Sequence, residues 1–182
     1  VSFQQNPVIT FNGWQYVAYY HGREGGDNID GYVCVARRNL EGGSGFHIGT
    51  QGVLPQSMFS LSWGSTGEWS VIELSDYSFT SNDAHCVVTM GICPNDGTIH
   101  LAFNHHDSTL HYRVSDPGVA TNPGSATWDA SLFGPTHSDL ISGDSISGLC
   151  YPRFWQTPDG ERVGEYDRVT NRWVELPAKY GR

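Results

Sequence analysis

Almost every apolar segment of this 182-residue chain is short, rich in β-branched and aromatic residues, and closed by Gly, Pro, Asn or Asp. Trp14-Gln15-Tyr16-Val17-Ala18-Tyr19-Tyr20, Tyr32-Val33-Cys34-Val35-Ala36 and Trp69-Ser70-Val71-Ile72-Glu73-Leu74 are of this kind. Such side chains fill a pleated, half-buried surface, so the segments read as strands. No segment holds an i, i+3, i+4, i+7 apolar stripe over three turns, which argues against helical and alternating α/β architectures. The expected class is all-β.

The segments also repeat. A first strand ends in a turn at Phe11-Asn12-Gly13, at Pro94-Asn95-Asp96-Gly97 and at Thr157-Pro158-Asp159-Gly160. A second strand follows as Trp14 to Tyr20 and as Ile99 to Phe103. A third carries a tyrosine beside polar residues, at Tyr32, His111-Tyr112-Arg113 and Glu165-Tyr166-Asp167-Arg168; a fourth runs from tryptophan to leucine at Trp69 to Leu74, Trp128 to Leu132 and Trp173 to Leu176. The tryptophans recur after 59 and 45 positions, and the second spacing is close to the ~40–50 residues of a four-stranded propeller blade. The expectation is a β-propeller of four-stranded antiparallel blades, with about three blade-like units in a single domain over residues 1–182. Three units are fewer than the ~4–8 that close a ring, which leaves a fragment of a longer parent, a part of an assembly or a partial ring.

Two irregularities interrupt the pattern. A Gly/Ser-rich stretch at about 41–67 is too long for a hairpin turn and reads as an exposed loop over a cleft. In the third unit, Gly160-Glu161 runs directly into Arg162-Val163-Gly164-Glu165-Tyr166, which leaves no room for a second strand.

Charge narrows the partners. Ten Lys+Arg against 19 Asp+Glu give a net charge of −9, which opposes the phosphate attraction on which most nucleic-acid binders rely. Neither nucleic acid nor an anionic membrane is expected as a partner. No apolar run approaches the ~20 residues of a spanning helix, and Val1 to Pro7 has neither the basic nor the apolar region of a signal peptide. Cys34, Cys86, Cys93 and Cys150 form no C-x-x-C motif. If the run between Cys86 and Cys93 is one strand, that pair sits ~23 Å apart, beyond disulfide reach. Buried free thiols are the leading reading, with a disulfide in a secreted protein as the other.

The eight histidines are unevenly placed, with four between 100 and 111. Thr80-Ser81-Asn82-Asp83-Ala84-His85 and Phe103-Asn104-His105-His106-Asp107 put histidines at the start of one strand and the end of the next. In adjacent antiparallel strands those ends meet on one rim, so His85 and His105 are expected to face one cleft.

The strings Ser81-Asn82-Asp83-Ala84-His85, Met90 through His106 (Met-Gly-Ile-Cys-Pro-Asn-Asp-Gly-Thr-Ile-His-Leu-Ala-Phe-Asn-His-His), Leu110-His111-Tyr112-Arg113-Val114-Ser115 and Tyr151-Pro152-Arg153-Phe154 resemble the BNR-type repeat family. That family includes β-propeller polysaccharide lyases, the ulvan lyases and rhamnose–glucuronate lyases. The resemblance runs from about Gln5 to Leu176 and implies β-elimination at a uronic acid within an anionic polysaccharide. A base removes the C5 proton, the oxygen on C4 leaves, and a 4,5-unsaturated uronate remains. The chemistry needs no cofactor, but the acidity of C5 depends on neutralising the neighbouring carboxylate. The resemblance implies His85 as base, His105 as the partner positioning or neutralising the uronate, and Tyr151 as acid to the leaving oxygen. Asn82, Asn104, His106, Arg153 and Arg162 are the implied substrate-binding residues. The neutralising arginine should lie on the strand after Tyr-Pro-Arg-Phe, where this sequence leaves no room for one, so Arg162 stands only as a substitute. Such a substrate implies a secreted protein.

Other constellations compete. His105, His106, Asp107 and His111 suggest a metal, but adjacent strand residues point to opposite faces, so a structural ion stays unassigned. A glycosidase would need paired carboxyl groups, for which Asp83, Asp107, Glu165 and Asp167 are candidates. Trp69, Trp128 and Trp173 occupy equivalent positions and favour packing between blades, whereas Trp63 and Trp155 break the pattern and are better placed to stack on sugars. The rival to a lyase is a non-catalytic propeller module that binds glycan or protein, or an inactive lyase fragment.

Overall fold

A computed structural model describes residues 7–21, 30–40, 67–80, 83, 85–125, 127–140, 145–157, 160–167 and 172–175, the last three strands by their backbone beyond Phe154. The Gly/Ser-rich stretch, apart from residue 67, lies outside the described residues, as do Asn82 and Trp63.

Strands β1 (Val8–Phe11), β2 (Trp14–His21), β3 (Asp30–Asn39) and β4 (Ser70–Thr80) form one antiparallel sheet in chain order. This is the first expected blade. Its register aligns Ala18 with Val35 and Val35 with Ile72, and likewise Tyr20 with Val33 and Val33 with Leu74. Because side chains alternate along a strand, Tyr16, Ala18, Val33, Val35, Ile72 and Leu74 share one buried face. The β1–β2 turn needs left-handed backbone at Asn12 and Gly13, with φ of 49° and 75°, which these two residue types supply at little cost.

The second unit contains β5 (Val88–Ile92), β6 (Ile99–Phe103) and β8 (Tyr112–Val114), paired antiparallel in that order. Every residue of β5 is buried, so its pattern is a continuous apolar run rather than an alternation. Val88, Met90, Ile92, Leu101 and Phe103 pack against the buried face of the first sheet in one core. The β5–β6 turn is held by the Asp96 carboxylate, which accepts from the Thr98 backbone N–H (3.0 Å) and hydroxyl (2.7 Å). Gly97, at φ 73°, is required there because a Cβ would come within 2.4 Å of the Thr121 hydroxyl oxygen.

The fourth strand expected from Trp128 to Leu132 is not formed. Asp129 accepts from the Ser131 backbone N–H (2.8 Å) and hydroxyl (2.5 Å), and this cap winds Ala130–Leu132 into a single 3-10 turn. Two bridges, Ser115 to Phe133 and Tyr112 to His137, are what remains of pairing with the second sheet. Trp128 turns to the first blade instead. Its indole N–H donates to the Ser70 carbonyl (2.9 Å), and its ring and that of Trp14 flank the Arg37 guanidinium at 4.3 and 4.8 Å. Trp69, by contrast, is 40% exposed under Arg38, so the two tryptophans do not pack alike.

The third unit holds β10 (Arg153–Thr157), β11 (Gly160–Asp167) and β12 (Arg172–Glu175), an antiparallel sheet with β11 in the middle. This corrects the reading that no strand fits after Tyr-Pro-Arg-Phe. β11 begins directly at the turn glycine and pairs Trp155 with Arg162. Among the described residues the unit has three strands, and the strand on which the family arginine should fall is present.

A small sheet joins units two and three: β7 (His106–Ser108) pairs with β9 (Leu149–Cys150), aligning His106 with Cys150. The four cysteines are free thiols, with Cys34, Cys86 and Cys150 buried. Among the described residues there is no α-helix, and none is long and apolar enough to cross a membrane.

Candidate active site

The site lies where β6 ends and the β7–β9 pair begins, facing the turn that leads into β5. Its centre is the carboxylate of Asp83. One oxygen, Oδ1, accepts the backbone N–H of His85 (2.9 Å) and meets His85 Nδ1; the other, Oδ2, meets His106 Nδ1. The two imidazoles stack with centroids 4.4 Å apart and planes 26° apart. Tyr151 sits over both, its ring 5.9 Å from that of His85 and 6.4 Å from that of His106.

Local sequence explains each placement. Asp83, two residues before His85, makes the short side-chain turn that aspartate favours. His106 is brought out by the reversal after β6, where Asn104 and Asp107 take left-handed φ of 59° and 54°. The pairing of His106 with Cys150 then carries the next residue, Tyr151, to the histidines. Tyr151 itself has φ 58°, a conformation costing a tyrosine about 1–2 kcal/mol.

The electrostatics fix the proton positions. The His85 backbone N–H and the two imidazoles hold the Asp83 carboxyl down at about 2, against its desolvation. An ionised carboxylate only accepts, so both Nδ1 atoms carry hydrogen; a neutral imidazole so oriented presents a basic Nε2. The arrangement is one ionised carboxylate shared by two imidazoles, each oriented through its Nδ1. Asp83, His85 and His106 also place ligating atoms within 4.8 Å of one another, the donor set of a mononuclear zinc site. In the arrangement described, both Nδ1 atoms are engaged by the carboxylate instead.

His105 is not brought to His85. It is 1% exposed, and its Nε2 accepts the backbone N–H of His111 (2.9 Å). Burial, with His111 next to it, pushes its imidazole down to about 3. The left-handed turn at Asn104, between the end of β6 and the start of β7, puts His106 and not His105 beside Asp83. Asn104 is half-buried: its backbone N–H donates to the Tyr20 hydroxyl (2.9 Å), and its carbonyl accepts from Ser108 (3.2 Å) and His111 (3.3 Å). Arg153 is half-buried at the start of β10. The side chains of Arg162 and Trp155, like Asn82, fall outside the described residues. Asp83 is the member that reading for histidines passes over, although aspartate two residues before a strand-entry histidine is a visible signal.

Antiparallel sheets of three and four strands in succession define an all-β, blade-like architecture. The family model of BNR repeat-containing members matches residues 14–169, and the chain belongs to that family. The crystal structure of polysaccharide lyase Uly1 superposes with a TM-score of 0.59 at 16% identity, covering 100% of this chain and 44% of that one. The chain thus spans less than half the length of that lyase and shares its fold. No curated protein sequence matches it.

Proposed function

We propose that the chain carries the acid–base centre of a polysaccharide lyase acting on a uronate-containing glycan outside the cell. The observation that carries this reading is the Asp83 carboxylate oriented on two stacked imidazoles beneath a tyrosine. His85 Nε2 takes the C5 proton, with Asp83 holding the imidazole in the required tautomer and stabilising the imidazolium that forms. The role of second histidine passes from His105 to His106, which in its protonated form hydrogen-bonds the uronate carboxylate and promotes loss of the C5 proton. The Tyr151 hydroxyl delivers a proton to the departing C4 oxygen. Asn104 and Arg153 act as substrate contacts, Arg162 on β11 supplies the carboxylate-neutralising charge, and Asn82 adds a neutral hydrogen-bond donor. No cofactor enters the scheme.

The test is ultraviolet absorbance of 4,5-unsaturated uronates during incubation with ulvan, gum arabic and other uronate polysaccharides. A rise that disappears in both His85→Ala and His106→Ala supports the assignment. A rise that survives both variants refutes the site. Silence from folded protein on every polysaccharide favours a binding module, which glycan-affinity electrophoresis would then detect.

A further inference from the structure

We propose that His105 is a positioning residue: its buried imidazole pins the 104–111 loop from within and thereby sets where His106 emerges beside Asp83. The loop is fastened at its base by the Phe103 N–H bond to the His111 carbonyl (3.1 Å) and at its outer side by the His106–Cys150 pairing. Between those points the chain reverses through two left-handed residues, Asn104 and Asp107. Asparagine and aspartate adopt such backbone more readily than other non-glycine residues, so the sequence permits the reversal and the contacts around it set its position. His105 is the side chain that fills the inside of the reversal. Its ring stacks on that of His111 at 5.5 Å and 27°, and its Nε2 accepts the His111 N–H. His105 thereby supplies this backbone donor with its acceptor.

The chemistry of the ring suits this task and not proton transfer. Because Nε2 accepts, the hydrogen is on Nδ1, which meets no hydrogen-bond partner among the described residues. Burial opposes its ever becoming an imidazolium. His106 follows it directly, so a shift of the pinned backbone is passed to the Asp83–His106 contact within one peptide unit. Misplacing a catalytic group by ~1 Å costs on the order of 10²-fold in rate.

This inference rests on the proposed function only for its kinetic arm, and its spectroscopic arm stands apart. Two variants divide acceptor from bulk: His105→Gln keeps a polar acceptor near the Nε2 position, and His105→Leu keeps volume without it. In protein labelled with 15N-histidine, the Nδ1 proton of His106 bound to Asp83 should give a downfield resonance, assigned by its loss in His106→Ala. The expected result is loss of that resonance in His105→Leu and its return in His105→Gln. With a cleaved polysaccharide in hand, kcat should fall about 10–100-fold in the Leu variant with KM within about twofold, and recover in the Gln variant. A folded Leu variant with the wild-type resonance overturns the proposal. If the Leu variant does not fold, the Gln variant decides: a retained resonance supports the proposal and a lost one overturns it. Should no polysaccharide be cleaved by the wild type, the proposed function fails while the resonance still judges His105.

Discussion

Replacing Asp83 by Asn removes the group on which the whole rim is organised. The amide oxygen can accept from one imidazole, but its NH2 cannot accept from the other, so one histidine loses the partner that fixes its tautomer. The carboxyl is lowered from 3.8 to about 2, chiefly by the His85 backbone N–H. At about 1.4 kcal/mol per pK unit the full shift would correspond to roughly 2.5 kcal/mol. The side chain is about a third exposed, so solvent screening reduces the stabilisation to about 1 kcal/mol. The carboxyl is depressed in the folded state, so its contribution is present above the unfolded carboxyl range. It is lost as pH falls through about 2. For a domain of this size, 1 kcal/mol is about 2–4 °C in Tm. Thermal unfolding of wild type and Asp83→Asn should therefore differ by a few degrees at pH 7 and converge near pH 2. Under the proposed function, uronate elimination should fall by about 10²–10⁴-fold at neutral pH. General relief of the −9 net charge would act oppositely, stabilising the variant. A variant as stable and as active as wild type at pH 7, or a stability difference that persists undiminished in acid, would refute the bridging role of Asp83.

Three further outcomes follow from the geometry. His105 is held neutral to about 3 by burial while the unfolded chain binds that proton near 6.5, so acid must erode stability across that window. Denaturant titrations at several pH values should show His105→Gln flattening the slope by up to about 1.4 kcal/mol per pH unit. Tyr151→Phe keeps the ring over the imidazoles and removes only the hydroxyl; kcat should drop about 10²–10³-fold with KM little changed, read from the same absorbance assay. Arg37→Met should cost about 1–2 kcal/mol in urea unfolding, because the guanidinium is sandwiched between Trp14 and Trp128 away from water.

The first blade was legible because its signals agree: alternation in β2 and β4, β-branched residues in β3, and an Asn-Gly turn between β1 and β2. The second hairpin was legible for the same reason, through Pro94 to Gly97. Trp128 to Leu132 misled because its apolar spacing matches a strand while Asp129, a strong cap, bends it locally. The third unit misled through spacing, since β11 starts at the turn glycine itself and serves as the middle strand. At the site, the sequence brings His85 and a histidine of the 105–106 pair to one rim, but which of the two emerges depends on the left-handed residue at Asn104. Such a residue resets the alternation, and asparagine permits it without announcing it. In the sequence Asp83 reads as one of several turn carboxyls; the meeting of both Nδ1 atoms on it makes it an orienter.

The left-handed backbone at Asn104, Asp107 and Tyr151 bears on laboratory evolution. Glycine at any of these positions would relieve steric cost that the present side chains tolerate, and a library sorted for heat resistance alone will find such replacements readily. Those gains would be drawn from the rim that holds the histidines rather than from the core. Stabilising this protein while keeping its site intact therefore calls for selection with these three codons fixed.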